Sequence, residues 1–375
     1  MKDDTVMLIG AGDLGGIVLE FLARETAVGR IVVAGRDVEK GEARCNLARV
    51  SAIAQGYSPT IEFVRLDIDE PESVAAAVGA SAPQVIHTTA NMHTWWIPNL
   101  LPPDAAALIR SAGFGSWLPV HLTPTMKLMR TLKAIDFAGH VLTAPFPDLV
   151  NPILHRLGLA PTCGIGNVDL VVPKIRHLAA HRLEVGAHDV RIQLVAHHAL
   201  MSPAYRNPGA ELPPYFLRIF HEGRDVTAEV EAEKLVVAPY PLPGGQSSHF
   251  LSAGSSAGLI LAFLGEEVSH THAPAPHGLP GGYPVLVSRK GIELEPVEGL
   301  SLEQAISINE RSHRFDNIER IEDDGTAVFT ADSVAAFREI LGYDCDRLAP
   351  DESEDRAVEL IARYREFARR HGVNE

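Results

Sequence analysis

The stretch Thr5-Val6-Met7-Leu8-Ile9-Gly10-Ala11-Gly12-Asp13-Leu14-Gly15 decides the fold. A short apolar strand runs directly into glycines spaced G-x-G-x-x-G, and a helical pattern follows from Ile17 to Arg24. Gly10 permits the tight turn, Gly12 lets an anion approach the backbone, and Gly15 allows close packing of helix on strand. Because the helix N-terminus faces the anion, the stretch predicts a dinucleotide pyrophosphate site that includes Asp13 and Leu14.

Strand-like and helix-like segments alternate over the first 150 residues, with apolar strands predicted at 5–9, 30–34, 61–65, 84–88 and 140–144. This alternation predicts an α/β fold with a doubly wound, Rossmann-type parallel sheet. The regular alternation of strand-like and helix-like segments ends at Pro145-Phe146-Pro147. We therefore expect a dinucleotide-binding domain in residues 1–150 and an α+β catalytic domain in 151–300. Residues 301–375 are expected to form helices and a hairpin that pack on the catalytic domain.

The end of the second strand indicates which dinucleotide is bound. A site for NAD usually has an acid there for the ribose 2′-hydroxyl, but Gly35 takes that place, with Arg36 beside it. The glycine makes room and the arginine can pair with a 2′-phosphate, so NADP is favoured, while Asp37 leaves NAD open. Asp67, after the third strand, is expected near the adenine or, alternatively, as the cap of the next helix.

Composition excludes several classes of partner. The 375 residues carry a net charge of −15, which argues against a sequence-independent hold on nucleic acid or an anionic membrane. The three cysteines lie far apart and the N-terminus lacks the features of a secretion signal, so a cytoplasmic protein is expected. The histidine-rich loop 269–277 has no neighbouring cysteine or clear carboxylate ligand, so we expect no metal.

Several motifs occur in the order found in the lactate/malate dehydrogenase superfamily, and the sequence resembles that superfamily over roughly residues 5–300. The motifs are Gly41-Glu42-Ala43, Asn151-Pro152, Gly164-Ile165-Gly166-Asn167-Val168-Asp169, Ala196-His197-His198-Ala199, the long helix-like stretch 247–265, Gly281-Gly282-Tyr283-Pro284-Val285 and Lys290-Gly291-Ile292-Glu293. The segment 66–74 instead resembles short-chain or saccharopine-type reductases, which makes the chain a divergent member.

The resemblance implies a catalytic histidine, for which His198 is the first choice and His197 the reserve. In the superfamily an aspartate orients this histidine and an arginine three residues later binds the substrate carboxylate. Aligning the glycines puts Asp169 at the aspartate, in a loop before a helix that begins near Pro173; counting back without gaps puts Val171 and Lys174 at the two positions. A lysine would still attract a carboxylate, but without the bidentate fork of arginine.

The resemblance also implies a substrate-binding role for Asn151. Where the superfamily has arginines in a mobile loop, this chain has Met92-His93-Thr94-Trp95-Trp96, which disfavours a small dicarboxylate. Trp95 and Trp96 would line a larger, more apolar pocket if this loop closes over the site, or would pack under the loop as structural aromatics.

These features predict an NAD(P)-dependent oxidoreductase that acts on a carbonyl or alcohol substrate bulkier than malate or lactate. Its partners are expected to be a small-molecule substrate and further copies of the chain, as a homodimer or homotetramer. Two alternatives stay open: an opine-type imine reductase, and a dinucleotide-binding redox sensor without turnover.

Overall fold

The nucleotide-binding half is built on a six-stranded parallel sheet in the order β3-β2-β1-β4-β5-β6. The computed structural model describes residues 4–207 and 209–373. The elements of this half are β1 (Thr5–Ile9), α1 (Asp13–Leu22), β2 (Arg30–Gly35), α2 (Val38–Ile53), β3 (Ile61–Arg65), α3 (Pro71–Ser81), β4 (Val85–Thr88), α4 (Pro103–Ser111), α5 (Leu118–Ala134), β5 (His140–Thr143), α6 (Pro147–Arg156) and β6 (Cys163–Gly164). The predicted Rossmann-type sheet is confirmed, and its strands follow the apolar runs of the sequence closely.

The second half contains an antiparallel sheet in the order β10-β11-β7-β8-β9, with β12 paired to β11. Its elements are α7 (Val168–Leu183), β7 (Val190–Ala196), β8 (Tyr215–His221), β9 (Arg224–Asp225), α8 (Ala232–Val237), α9 (His249–Leu264), β10 (Ser269–Pro274), β11 (Gly282–Ser288), β12 (Gly291–Leu294) and α10 (Leu302–Ser312). This is the predicted α+β arrangement, and β7 leads straight into His197 and His198.

The parallel sheet extends beyond the boundary expected at residue 150. Asn151 lies inside α6, and β6 still pairs with β5 through Leu142 and Cys163. The helix of Asp169 also differs from prediction, because α7 begins at Val168 and continues through Pro173. A proline inside a helix removes one backbone hydrogen bond, here the one that the Asp169 carbonyl would accept from residue 173.

The C-terminal region forms a small sheet and two helices: β13 (Ile318–Ile321), β14 (Ala327–Phe329), α11 (Ala331–Leu341), β15 (Arg347–Leu348) and α12 (Ser353–Arg370). The strands β13 and β14 form the antiparallel hairpin that the sequence indicates. We expected residues 301–375 to pack on the catalytic domain: α10 does pack against β7 and β8, but α12 packs against α5 and α11 against α4. The reason is the apolar stripe of α12, including Leu360 and Tyr364, which joins the core of the nucleotide-binding half.

One stretch, Gly245–Leu264, is long and apolar enough to meet the length and hydropathy criteria for a membrane span. A buried helix of a folded core meets the same criteria, and 56% of this window is buried within the protein. The stretch includes α9, which packs against α1, β4 and β11. Its apolar character is thus accounted for by its place in the core.

Candidate active site

A cleft of about 1770 Å³ lies at the carboxyl ends of the parallel strands. Gly10, Gly35 and Asp67 line it at or just beyond the ends of three neighbouring strands, and His198 lines it from the second half. Sites for single small molecules are typically about 300–1,000 Å³, so this cleft has room for a dinucleotide together with a substrate.

The glycine loop fits the pyrophosphate of a dinucleotide. Gly10 has φ +104°, and a Cβ there would lie 2.5 Å from Oγ1 of Thr89. A Cβ on Gly15 would lie 1.9 Å from the Gly10 carbonyl oxygen, so this close helix-to-strand approach requires glycine. A Cβ on Gly12 would meet no atom within 4 Å, which leaves open space at the N-terminus of α1. Gly10 thus makes the tight turn, Gly15 allows the close packing and Gly12 leaves the approach to the helix N-terminus open, as the sequence predicts.

Asp13 joins the glycine loop to two other segments, while Leu14 lines the cleft beside it. Asp13 Oδ2 accepts hydrogen bonds from Trp96 Nε1 at 3.1 Å and from Gln246 Nε2 at 3.3 Å. Trp96 was expected to line the substrate pocket, but it lies outside the cleft lining. Its indole instead connects the loop after β4 to the N-terminus of α1, because the Asp13 carboxylate offers the partly buried N–H an acceptor.

At the end of β2, Gly35 and the exposed Arg36 both line the cleft. Asp37 is the N-cap residue of α2, and its Oδ1 accepts a hydrogen bond from the Lys40 backbone N–H at 3.0 Å. That backbone hydrogen bond lowers the pKa of Asp37. Asp67 also lines the cleft, and its Oδ1 accepts from the Asp69 N–H at 3.1 Å. Since the N-cap of α3 is Glu70, the capping alternative for Asp67 is wrong.

His198 is held at the cleft by Asp316. Its Nδ1 lies 2.8 Å from Asp316 Oδ2, and its side chain is 22% exposed. Burial alone would raise the pKa of Asp316, but the neighbouring His198 and His197 rings hold it well below its usual range. An ionised carboxylate only accepts, so Nδ1 of His198 carries the proton and Nε2 is left free for chemistry. Burial opposes protonation of His198, yet the charges of Asp316 and Asp148 together raise its pKa.

Asp148 fixes the backbone of the same histidine. This fully buried residue lies in the first turn of α6, where the helix dipole favours a negative charge. Its Oδ2 accepts from the His198 backbone N–H at 2.5 Å, and its Oδ1 accepts from Asn167 Nδ2 at 2.7 Å. Two carboxylates thus hold His198, one through the ring and one through the main chain.

His197 faces away from the cleft, because adjacent residues of an extended chain point in opposite directions. Its side chain is fully buried, with Nδ1 3.3 Å from Asp316 Oδ2 and its ring edge against His313. It was predicted as a substrate-binding residue and the reserve for His198. The structure instead places it behind Asp316.

Neither Asp169 nor Lys174 lies at His198. Asp169 hydrogen-bonds Ser255 of α9, and burial raises its pKa to about 6. Lys174 is 2% exposed, and its Nζ donates to the carbonyls of Ala204 at 2.6 Å and Val236 at 2.9 Å. The expected catalytic placement of both residues is thus corrected: α7 begins early enough to turn Asp169 towards α9 and Lys174 into the core.

Asn151 is likewise outside the cleft. It is fully buried within α6, and its Oδ1 accepts from the Thr143 hydroxyl at 2.9 Å. The positions that directly follow β5 and line the cleft are Ala144 and Pro145. The Asn-Pro motif therefore belongs to a helix rather than to the strand end, so the predicted substrate contact of Asn151 is corrected.

Trp95 does line the cleft, together with a cation that the sequence analysis missed. The Trp95 Nε1 donates to His249 Nε2 at 3.0 Å, and the Arg206 guanidinium lies 5.2 Å from the centre of the Trp95 ring. Among the residues that the structure describes, Arg206 forms no ion pair within 4 Å, although it lies near enough to interact electrostatically with His198 and Asp316. The turn Ser202–Arg206 carries it, and Lys174 holds this turn by its bond to the Ala204 carbonyl.

Aromatic rings surround the imidazole of His198. Phe114 lies 5.4 Å and Phe146 5.3 Å from it between ring centres, and the two phenylalanine rings meet edge to face at 4.7 Å. Phe146 has φ +45°, a conformation that a residue with a bulky side chain rarely adopts. Such strain is typical of functional sites, and here it precedes the helix that carries Asp148.

The three histidines of the loop 269–277 serve different partners. His270 lies 3.3 Å from Glu295, His272 Nε2 accepts from the Leu194 N–H at 3.1 Å, and His277 Nε2 lies 3.0 Å from the Ile292 carbonyl oxygen. Across residues 4–207 and 209–373, no group of three or more histidine, cysteine or acidic side chains has the geometry to hold a metal ion.

Comparisons with known proteins concern the fold and the nucleotide-binding segment. Residues 6–94 match the family model described as saccharopine dehydrogenase NADP binding domain. The structure is similar to malate dehydrogenase from Cryptosporidium parvum, with a TM-score of 0.58 and 13% identity over 84% of this chain and 96% of that one. It is also similar to lactate dehydrogenase from Eimeria maxima, solved with NADH and oxamate, with a TM-score of 0.56 and 15% identity over 84% and 92% of the two chains.

The chain has the fold of the lactate and malate dehydrogenases. A third relative with this fold, malate dehydrogenase from Plasmodium falciparum, is covered over 99% of its length by 96% of this chain, with a TM-score of 0.55 and 12% identity. No curated protein matches the chain by sequence. The predicted resemblance is confirmed in both parts: a lactate/malate dehydrogenase fold whose nucleotide-binding segment is similar to saccharopine dehydrogenases.

Three functional candidates within this dehydrogenase fold escaped the sequence analysis. Asp316 ends the short helix His313–Asp316, in the region beyond residue 300 to which no motif pointed. Arg206 lies in a proline-containing segment eight positions after His198. Its positive charge and its nearness to the histidine in the sequence were the only features that could have pointed to it. Asp148, directly after Pro147 at a helix start, could have been found as an acid in a first helical turn.

Proposed function

We propose that this protein is an NADP(H)-dependent oxidoreductase that interconverts a carbonyl compound and the corresponding alcohol. The observation that carries the proposal is the His198–Asp316 pair, 2.8 Å apart, in the cleft that the glycine loop also lines. The glycine loop at Gly10, Gly12 and Gly15 would hold the dinucleotide, whose reduced nicotinamide would supply the hydride. Protonated His198 donates the proton from Nε2 to the carbonyl oxygen, which completes the alcohol.

Asp316 is a positioning residue in this mechanism. Its carboxylate holds the ring and keeps the proton on Nδ1, so that Nε2 points to the substrate. By favouring the imidazolium it also increases the fraction of His198 that is ready to donate a proton near neutral pH. Asp148 fixes the main chain of the same residue, which limits the motion of the ring during proton transfer.

The preference for NADP is supported by the end of β2. Arg36 is exposed in the cleft, and a guanidinium there can bind a 2′-phosphate bidentately. Asp37, the carboxylate that would otherwise receive a ribose 2′-hydroxyl, is engaged by the backbone N–H of Lys40. A glycine at position 35 leaves room for the additional phosphate.

The substrate is proposed to combine an anionic group with an apolar body larger than that of lactate or malate. Arg206 supplies a cation near His198, suited to a carboxylate. Trp95, Phe114 and Phe146 supply apolar walls around the same space. The cation, Arg206, lies on the turn that follows His198 in the chain. The loop after β4 carries tryptophans instead of the arginines that would favour a small dicarboxylate.

The test is product analysis. Purified protein is incubated with NADPH and a series of 2-oxo acids of increasing side-chain size, with and without an added amine. A 2-hydroxy acid in both reactions supports the proposal. A product that contains nitrogen only when the amine is present would instead identify an imine reductase. NADPH binding without any turnover of the series would favour the redox-sensor alternative.

We also propose that the chain acts as a homo-oligomer in the cytoplasm. Leu47, Val50 and Ile53 of α2 are 56%, 66% and 56% exposed, which supports a surface covered by a second copy. Light scattering at micromolar concentration tests this assembly; a monomer at every concentration would contradict it.

A further inference from the structure

The C-terminal helix α12 has a second face besides its buried one. The buried face includes Leu360 and Tyr364 and packs on the nucleotide-binding half. Val358, Ala362 and Arg365 are exposed and line the same cleft as the glycine loop. Their spacing of four and three residues puts them on one stripe of the helix. The helix therefore forms a wall of the cleft as well as part of the core.

A lysine bridge ties this wall to the end of β3. Lys127 Nζ lies 2.6 Å from Asp69 Oδ1 and 2.6 Å from Glu354 Oε1 in the first turn of α12. Asp69 follows Asp67 and Ile68, which line the cleft just beyond β3. The N-terminal half of α12 is thus held beside the carboxyl end of β3.

This is the part of the cleft that an adenine would reach. A dinucleotide whose pyrophosphate binds at the glycine loop extends its adenosine half past the end of β2, at Gly35 and Arg36, towards β3. Three apolar residues of the cleft lining come from these elements: Ile68 follows β3, Pro124 lies in α5 and Val358 in α12. Flat aromatic rings are well accommodated between apolar surfaces of this kind.

We propose that α12 forms one wall of the adenine pocket, so that the C-terminal region is a cofactor-binding element. The inference rests on the proposed function, because it requires a dinucleotide in this cleft. Val358 and Ala362 contact the adenine ring, while Lys127 and Glu354 fix the distance between α12 and β3.

The variant Ala362→Trp tests the proposal, because it adds a large side chain at an exposed position that faces the proposed pocket. We expect it to weaken NADPH binding at least about tenfold by calorimetry, with the thermal midpoint of the free protein little changed. The matched control is Ala335→Trp, at an exposed alanine of α11 that lies outside the cleft lining, and it should bind NADPH as the wild type does. Val358→Asp, which puts a charge beside the ring, is the second variant.

Hydrogen exchange gives an independent readout on the wild-type protein. NADPH should slow the exchange of backbone amides in residues 357–366, whereas reduced nicotinamide mononucleotide, which lacks the adenosine half, should leave them unchanged. Wild-type NADPH affinity in Ala362→Trp and Val358→Asp, with unprotected amides, would overturn the role of α12 and leave the proposed function intact. If the wild type binds neither NADPH nor NADH, the proposed function fails, and this inference fails with it.

Discussion

Nδ1 of His198 lies 2.8 Å from Oδ2 of Asp316, although 118 residues separate them in the sequence. The histidine comes from the end of β7 and the aspartate from the short helix His313–Asp316 before β13. The C-terminal region therefore contributes to the candidate site of a fold whose nucleotide-binding half lies at the other end of the chain.

Asp316→Asn should lower kcat by about 100-fold or more, because a neutral amide no longer stabilises the imidazolium and its NH2 can donate to Nδ1, which leaves the ring proton on the wrong nitrogen. The pKa of His198 is raised by the Asp316 charge, so protonated histidine persists to higher pH in the wild type. In the variant, the loss of reductase activity with rising pH should begin at lower pH. Rate measurements across a pH series, with NADPH affinity as the control, test both effects; an unshifted pH profile would argue against the pair.

Asp169→Asn should retain activity within about twofold, because this residue binds Ser255 and not His198. Burial raises its pKa from 3.8 to about 6, so the folded state favours the neutral acid. Its contribution to stability is present at low pH and is lost as the pH rises through about 6. Urea unfolding at about pH 4.5 and about pH 7.5 should show wild type losing stability relative to the variant; a variant without activity would restore Asp169 as a catalytic candidate.

His198→Gln should abolish turnover while NADPH affinity is kept, since the ring lies beyond the glycine loop. His197→Gln should lower the thermal midpoint, because the fully buried ring packs on His313, but it should reduce kcat by less than about tenfold. Parallel assays of kcat and thermal unfolding distinguish the two roles. Equal losses of activity in both variants would contradict the assignment of the donor to His198.

The sequence predicted the parts of this site that depend on local pattern. The glycine loop, the five apolar strands and the position of His198 after β7 follow from residue spacing within single segments. Asp316 could not be predicted in the same way, because its contact with His198 depends on how a distant turn packs. Asp169 and Asn151 were misplaced for a related reason: α6 and α7 accommodate Pro152 and Pro173 in their interiors, where the sequence suggested the end of a strand and the start of a helix.

Arg206→Ala should raise KM for an anionic substrate by about 10- to 100-fold, the usual effect of losing a hydrogen-bonded charge. The affinity for NADPH should be unchanged, since the guanidinium lies over Trp95 rather than near the glycine loop. Arg206→Lys should recover part of the loss, because the charge is kept without the planar fork. Steady-state kinetics on the acid and on its uncharged amide check the assignment; equal effects on both substrates would speak against a carboxylate contact.

Arg36→Ala should weaken NADPH binding by about tenfold or more and leave NADH binding nearly unchanged. The structural reason is that Arg36 is exposed in the cleft at the end of β2, while Asp37 is held by its cap. Paired calorimetric titrations with the two nucleotides at fixed salt measure the effect. The control is Lys290→Ala, a basic residue outside the cleft lining. A variant that loses both nucleotides equally would contradict a specific 2′-phosphate contact.

The most direct test of the account is to follow the hydride itself. NADPH deuterated at the transferable position is incubated with the protein and the 2-oxo acid series, and the products are analysed by mass spectrometry. The account predicts deuterium on the carbinol carbon with the wild type, and none with His198→Gln although the cofactor still binds. Unlabelled products from the whole series, with NADPH bound by the wild-type protein, would contradict a dehydrogenase centred on His198 and Asp316.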